Sequence, residues 1–134
     1  MLNETAIVFG ASGFLGSHVA DALSIAGYRV RLFDRIASPY RRDDQEMIIG
    51  DIMDLSQVVE AAKGTNAVYN FAAIADIDEA HDKPLATATV NVLGNMHALE
   101  AARIAGVRRF VVASTIYVYS ESGSFYRASK QAAE

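Results

Sequence analysis

The stretch Thr5-Ala6-Ile7-Val8-Phe9-Gly10-Ala11-Ser12-Gly13-Phe14-Leu15-Gly16 decides the fold. Thr5 to Phe9 is a short apolar run that stops at a glycine, the form of a strand buried on both faces. From Phe14 to Ala26 the apolar residues Leu15, Val19 and Leu23 recur at helical spacing, and Gly27 is a natural helix stop. A strand therefore feeds a helix through three glycines. Gly10 permits the tight turn, Gly13 lets a phosphate approach the backbone, and Gly16 lets the helix pack close to the sheet. The first helical turn, with Phe14 and Leu15, offers free N–H groups and a positive dipole end to an anion. The spacing is G-x-x-G-x-x-G, not the tighter G-x-G-x-x-G, and such turns also occur without a ligand.

Moving outward, Tyr28 to Phe33 reads as a second strand, and Asp34 closes it. A carboxylate there can accept hydrogen bonds from both ribose hydroxyls of an adenosine half and would repel a 2′-phosphate, which favours NAD over NADP. Arg35, Arg41 and Arg42 pull the other way, unless they are solvated loop arginines. Residues 35–46 are charged, contain Pro39 and read as a loop with room for a short helical turn. Met47 to Ile49 is a third strand. Asp51 and Ile52 follow it and are placed to flank an adenine; the alternative for Asp51 is an ordinary turn carboxylate. Asp54 can cap a helix through Ala62, stopped by Gly64, and Asn66 to Phe71 forms a fourth strand. Pro84 opens a long helix ending at Gly106, Arg109 to Ser114 is a fifth strand, and a last helix starts at Phe125.

Strands alternate with helices and no hairpin signal intervenes, so the expected fold class is α/β, a doubly wound parallel sheet with helices on both faces. Right-handed crossovers give the strand order 3-2-1-4-5 in one domain, residues 1–134. Net charge is −4, from 12 basic and 16 acidic residues, and no run of Lys or Arg marks a nucleic-acid footprint. The chain has no cysteine, which excludes disulfides and fits a reducing compartment. Met1 to Thr5 has no basic region and the next apolar run breaks at Gly10, which argues against a signal peptide or membrane span and for a cytoplasmic protein. His18, His81 and His97 are scattered, so no metal site is expected. Asp76-Ile77-Asp78-Glu79 reads as a solvated connection with a helix cap. On the 84–105 helix, Leu85, Ala88, Val92, Met96 and Leu99 are expected to be mostly core, with a share left for subunit contact.

Near the other end stands Tyr126-Arg127-Ala128-Ser129-Lys130. A tyrosine and a lysine four apart share one helix face. The ammonium can there stabilise a phenolate and bring it from its usual pKa of about 10 toward the range of a general base. Alone such a pair is common and usually marks a solvated face; behind a glycine-rich strand-to-helix turn it points to a reaction class.

Together these segments resemble the extended short-chain dehydrogenase/reductase family, in its nucleotide-sugar epimerase/dehydratase branch. The matching pieces are residues 10–16, Asp34, Gly50-Asp51-Ile52, Asn70-Phe71-Ala72-Ala73, Asn91-Val92-Leu93-Gly94-Asn95, Ala113-Ser114-Thr115, Val118-Tyr119 and Tyr126 to Lys130. The resemblance implies a Rossmann-type fold, NAD as cofactor, a nucleotide-sugar substrate and a homodimer. It makes Tyr126 the catalytic base and Lys130 the group that holds the nicotinamide ribose and keeps Tyr126 ionised. Thr115 becomes the hydroxyl that bonds the reacting oxygen. Phe71, Ala72 and Ala73 would run along the cofactor, and Asn91 would satisfy backbone near the site. Dehydratases and decarboxylases of the branch usually carry an acid after that Thr; here Ile116 and Tyr117 follow it. An epimerase is thus expected, with a dehydrogenase or reductase, or a nucleotide-binding module without turnover, as alternatives. Ala75 stands where some epimerases carry a lysine, and the loop before Tyr126 is short. Since the family continues with further strands and a substrate domain, the sequence reads as the cofactor-binding, N-terminal part of a longer enzyme.

Overall fold

The computed structural model describes residues 3–134; Met1 and Leu2, part of the start read as lacking a basic region, lie outside them. Five parallel strands, β1 (Thr5–Phe9), β2 (Arg29–Asp34), β3 (Gln45–Ile49), β4 (Ala67–Asn70) and β5 (Arg109–Val112), form one sheet in the order β3-β2-β1-β4-β5. The expected Rossmann-type topology is the one observed. β1 is buried at every position because helices lie on both of its sides. Ile7 and Phe9 face the helices α2 (Leu55–Ala62) and α5 (Gly94–Ala105), packing with Phe33, Val58, Val68 and Ala98. Ala6 and Val8 face the helix α1 (Phe14–Ile25), with Leu32, Ala20 and Leu23. This alternation is the period-two pattern of a strand between two layers.

Registry aligns the carboxyl ends. Phe9 lies beside both Phe33 and Asn70, and Asn70 lies beside Val112. The chain leaves β1 toward β2 on one side while β4 closes on the other, so strand order reverses at the β1–β4 boundary. Open α/β sheets bind ligands in the crevice at that edge.

Several boundaries differ from the sequence reading. β3 starts two residues earlier, at Gln45, whose buried amide donates to Asp21 and Ser24 on α1. The 35–44 loop holds two hydrogen-bonded turns, Arg41 N to Ser38 O and Gln45 N to Arg42 O, and no helix. β5 stops at Val112 and not at Ser114. The helix cap expected in the acidic connection is Asp76, which accepts from Glu79 N at 2.8 Å at the start of a six-residue helix, α3 (Ile77–Asp82). The long helix opened by Pro84 runs as α4 (Pro84–Ala88), a π-helical turn (Thr89–Leu93) and α5. Its expected core face is turned outward: Leu85, Ala88, Met96 and Leu99 are exposed and Val92 is half-buried. The buried face carries Thr87, Asn91, Asn95, Ala98, Ala101 and Ala102. Small residues win that face because α5 lies tight against α2 and the turn below it; a Cβ on Gly94 would sit 3.2 Å from Ile52. The last helix is α6 (Ser124–Ala133). Among the described residues, no helix is long and apolar enough to cross a membrane, and no three His, Cys, Asp or Glu gather as metal ligands.

Candidate functional site

Two of the three glycines in the β1–α1 turn are required by the protein itself. Gly10 has φ of +75°, and a Cβ there would lie 2.6 Å from Ala72 N and Phe71 C. A Cβ on Gly16 would collide with the Gly10 carbonyl oxygen. Gly13 is different. Its φ of −78° suits any residue, and a Cβ would meet only Gly10 O, at an ordinary 3.4 Å. It stands exposed at the start of α1. No side chain caps this helix, and its first turn holds no acid. The first intrahelical bond runs from Ser17 N to Gly13 O at 3.0 Å, so the N–H groups of Phe14, Leu15 and Gly16 precede it and point outward along the axis. A bare helix start beside a glycine that internal packing does not require fits a phosphate.

Asp34 closes the turn from the side. One carboxylate oxygen accepts from Ser12 N at 2.9 Å and the other from Arg35 N at 2.7 Å. Ser12 Oγ in turn donates to Ile36 O at 2.7 Å. The carboxylate thus pins the glycine turn to the end of β2; Oδ1 also accepts from Ile36 N at a long 3.5 Å, and Oδ2, with Ser12 N as its one partner here, keeps a lone pair for a ribose hydroxyl. Of the three loop arginines, Arg41 Nε donates to Gln45 O and Arg42 pairs with Asp44; Arg35 is exposed beside Asp34.

Gly10, Gly13, Asp34, Arg35, Ile52, Phe71, Ala72 and Ala73 line one cleft of about 300 Å³ at the carboxyl edge of the sheet. Gly50, Ile74, Glu79 and Val90 line it too; Gly50 stood in the matching Gly50-Asp51-Ile52 segment, whereas the other three were not read as site residues. A Cβ on Gly50 would lie 2.6 Å from the Phe33 ring, so the fold itself asks for glycine there. Asp51 is not among the lining residues: its carboxylate accepts from Met53 N at 2.9 Å, the turn role, and Ile52 alone of that pair faces the cleft. A larger, shallower groove of about 580 Å³ between β3 and α2 shares only Phe33 with this cleft and has neither a glycine turn nor a bare helix start.

Tyr126 and Lys130 stand one turn apart on α6, and Thr115 lies in the segment that follows β5. Thr115 lies past β5 and not at its end, because its Oγ1 caps a short 3-10 turn, Ile116–Tyr119, by accepting from Tyr117 N. The Tyr126 ring meets Tyr117 edge-on, centroids 6.4 Å apart. Gly123, with φ of +108°, lets the chain pass under Tyr117 into α6; a Cβ there would lie 3.0 Å from Tyr117 Cβ. One turn after Tyr126, Lys130 is buried and donates from Nζ to Ala113 O at 3.0 Å. Burial pushes its ammonium below the ordinary lysine range. Ala113 N donates to Asn70 O, so β4, β5 and α6 meet at this point. Asn91 is buried and takes both backbone groups of Ile74: Oδ1 accepts from its N–H at 2.7 Å and Nδ2 donates to its carbonyl at 2.9 Å.

The sequence pattern of the NAD dependent epimerase/dehydratase family matches residues 6–133. A UDP-glucose 4-epimerase from Rhizobium leguminosarum bv. trifolii is 33% identical over 124 residues, which are 89% of this chain and 38% of that protein. A 3-beta-hydroxysteroid dehydrogenase from Mycolicibacterium neoaurum is 33% identical over 113 residues, 78% of this chain and 30% of that protein. Among solved structures, MoeE5 in complex with UDP-glucose and NAD superposes with a TM-score of 0.87 at 30% identity, over 96% of this chain and 46% of that one. The chain thus spans less than half the length of each of these three proteins.

Proposed function

The chain belongs to the NAD dependent epimerase/dehydratase family, and from that premise we propose that residues 1–134 bind NAD in an enzyme that epimerises a nucleotide-linked sugar, such as a UDP-sugar at C4. Gly13 is the observation that carries the reading: a glycine the packing does not demand, at an uncapped helix start, beside a carboxylate at the end of the next strand. The N–H groups of Phe14, Leu15 and Gly16 take the pyrophosphate, and Asp34 takes the adenosine ribose hydroxyls. Ile52 flanks the adenine. Phe71, Ala72 and Ala73 lie along the dinucleotide, and Lys130 holds its second ribose. NAD, when bound, supplies a hydride acceptor that can give back what it takes.

The protein's own part is proton handling. Tyr126 Oη takes the proton of the sugar hydroxyl and later returns it. Lys130, one helical turn away, brings a cation to the same helix face. Thr115 Oγ1 donates to the reacting oxygen. Positions 116 and 117 carry no carboxylate, so a neighbouring carbon finds no base there and elimination is disfavoured. The similarity to an epimerase and to MoeE5 with UDP-glucose supports a nucleotide-sugar substrate. A second reading, a dehydrogenase acting on another hydroxyl or carbonyl compound, is supported by the steroid dehydrogenase similarity at the same identity.

The assay that separates them supplies the full-length enzyme with a UDP-hexose and NAD. Interconversion with its 4-epimer without net NADH is expected; NADH accumulating in step with product would replace the epimerase by the dehydrogenase. Tyr126→Phe should lower kcat by about 10²- to 10⁴-fold with NAD affinity unchanged. Full turnover in that variant would remove Tyr126 as the base.

A further inference from the structure

The helix that carries Tyr126 and Lys130 is seated without an apolar anchor. The side chains that α6 buries fully are those of Ser129 and Lys130, both polar. Apolar packing is non-directional and does not by itself set a helix's height or rotation. Hydrogen bonds do, from the neighbouring long helix and from Lys130 Nζ to Ala113 O and Gln131 Nε2 to Val118 O.

Two rungs join these helices, one turn apart on each. In the first, Asn91 Nδ2 donates to Ser129 Oγ at 2.9 Å, and Ser129 Oγ donates to Tyr126 O at 2.8 Å. In the second, Asn95 Nδ2 donates to Ala133 O at 3.2 Å. Residues 91 and 95, like 129 and 133, are four apart and share a helix face. Each rung continues to the cofactor cleft. Asn91 holds both backbone groups of Ile74. Asn95 Oδ1 accepts from Asn70 Nδ2 at 2.8 Å, and Asn70 Oδ1 accepts from Ala72 N at 3.2 Å. Ala72 and Ile74 line the cleft, and the four side chains are at most 4% exposed. Every amide oxygen and nitrogen of the three asparagines has a partner, so their orientations are fixed.

We propose that this amide ladder couples the cofactor cleft to the helix bearing Tyr126 and Lys130, with Asn70, Asn95 and Ser129 as positioning residues for the reaction. The ladder rests on the reading of the cleft as an NAD site. A shift of the Ala72–Ile74 segment on cofactor binding is passed to α6 by two directional links, and the links fix α6 against sliding by a turn. Partnered buried polar groups of this kind select one register, because any other leaves them unsatisfied.

Hydrogen exchange with and without saturating NAD tests the coupling. In the unaltered protein, NAD slows exchange at the start of α1 and, about ten-fold, at the α6 amides Arg127 to Ala133. In Asn95→Leu and in the milder Ser129→Ala, the slowing at α1 and the NAD affinity stay within twofold while the slowing at α6 falls at least threefold, what remains being the direct contact of Lys130 with the second ribose. Slowing at α6 that persists undiminished in a folded variant overturns the ladder and leaves the NAD site standing; should Asn95→Leu fail to fold, Ser129→Ala decides. If NAD does not bind the unaltered protein, the cleft reading fails first and the ladder falls with it.

Discussion

Gly13 and Gly16 stand one helical turn apart and answer to different demands. Gly16 is needed by the fold, since any side chain there meets the Gly10 carbonyl with backbone on both sides and nothing free to yield. Gly16→Ala should therefore destabilise the protein by about 3 kcal/mol or more, read from thermal or denaturant unfolding. Gly13→Ala meets ordinary van der Waals distance and a permissive backbone, so its unfolding midpoint should stay within a few degrees. NAD affinity should instead drop at least ten-fold, because the methyl occupies the space the phosphates need. Equal loss of stability in both variants would contradict this division. Asp34 likewise has two duties, holding Ser12 N and facing the cleft, and only the second was legible in the sequence.

Among the elements, the helix from Pro84 to Ala105 taught most. Its apolar residues stood at helical spacing and were expected inside, yet Leu85, Met96 and Leu99 lie 81%, 57% and 43% exposed. The buried face is made of alanines and amides, which a count of hydrophobic positions passes over; the π-helical turn centred on Asn91 adds to the shift by breaking the 3.6-residue period. The outward stripe fits the homodimer implied by the family resemblance, which we propose forms along this helix. Burying the exposed half of Met96 and of Leu99 across a two-fold axis would contribute roughly 0.7–1.5 kcal/mol for each side chain. Met96→Glu with Leu99→Glu should then convert a dimer to a monomer in sedimentation, with the fold retained by circular dichroism. A protein already monomeric at tens of micromolar would remove that interface. The strands and α1 were easier to read, because each is punctuated by a glycine or an acid whose role is local. Tyr126 and Lys130 were legible as a spacing, but Asn70, Asn95 and Ser129 were not. Their partners across the ladder lie 25 to 38 residues away along the chain, and spacing along a sequence carries no record of such contacts.

At the scale of the molecule, a β-α-β frame sets a bare helix start, the Asp34 carboxylate and an alanine-lined strand end around one cleft. In the proposed reading the free N–H groups take the phosphates, and Asp34 takes hydroxyls that a 2′-phosphate would replace with like charge. Arg35, exposed next to Asp34, is the opposing cation within reach. Calorimetric titration of the purified protein with NAD and with NADP tests the claim most directly. NAD should bind more tightly than NADP, and Asp34→Ala should shrink the difference; tighter binding of NADP, or no binding of either, would contradict the account.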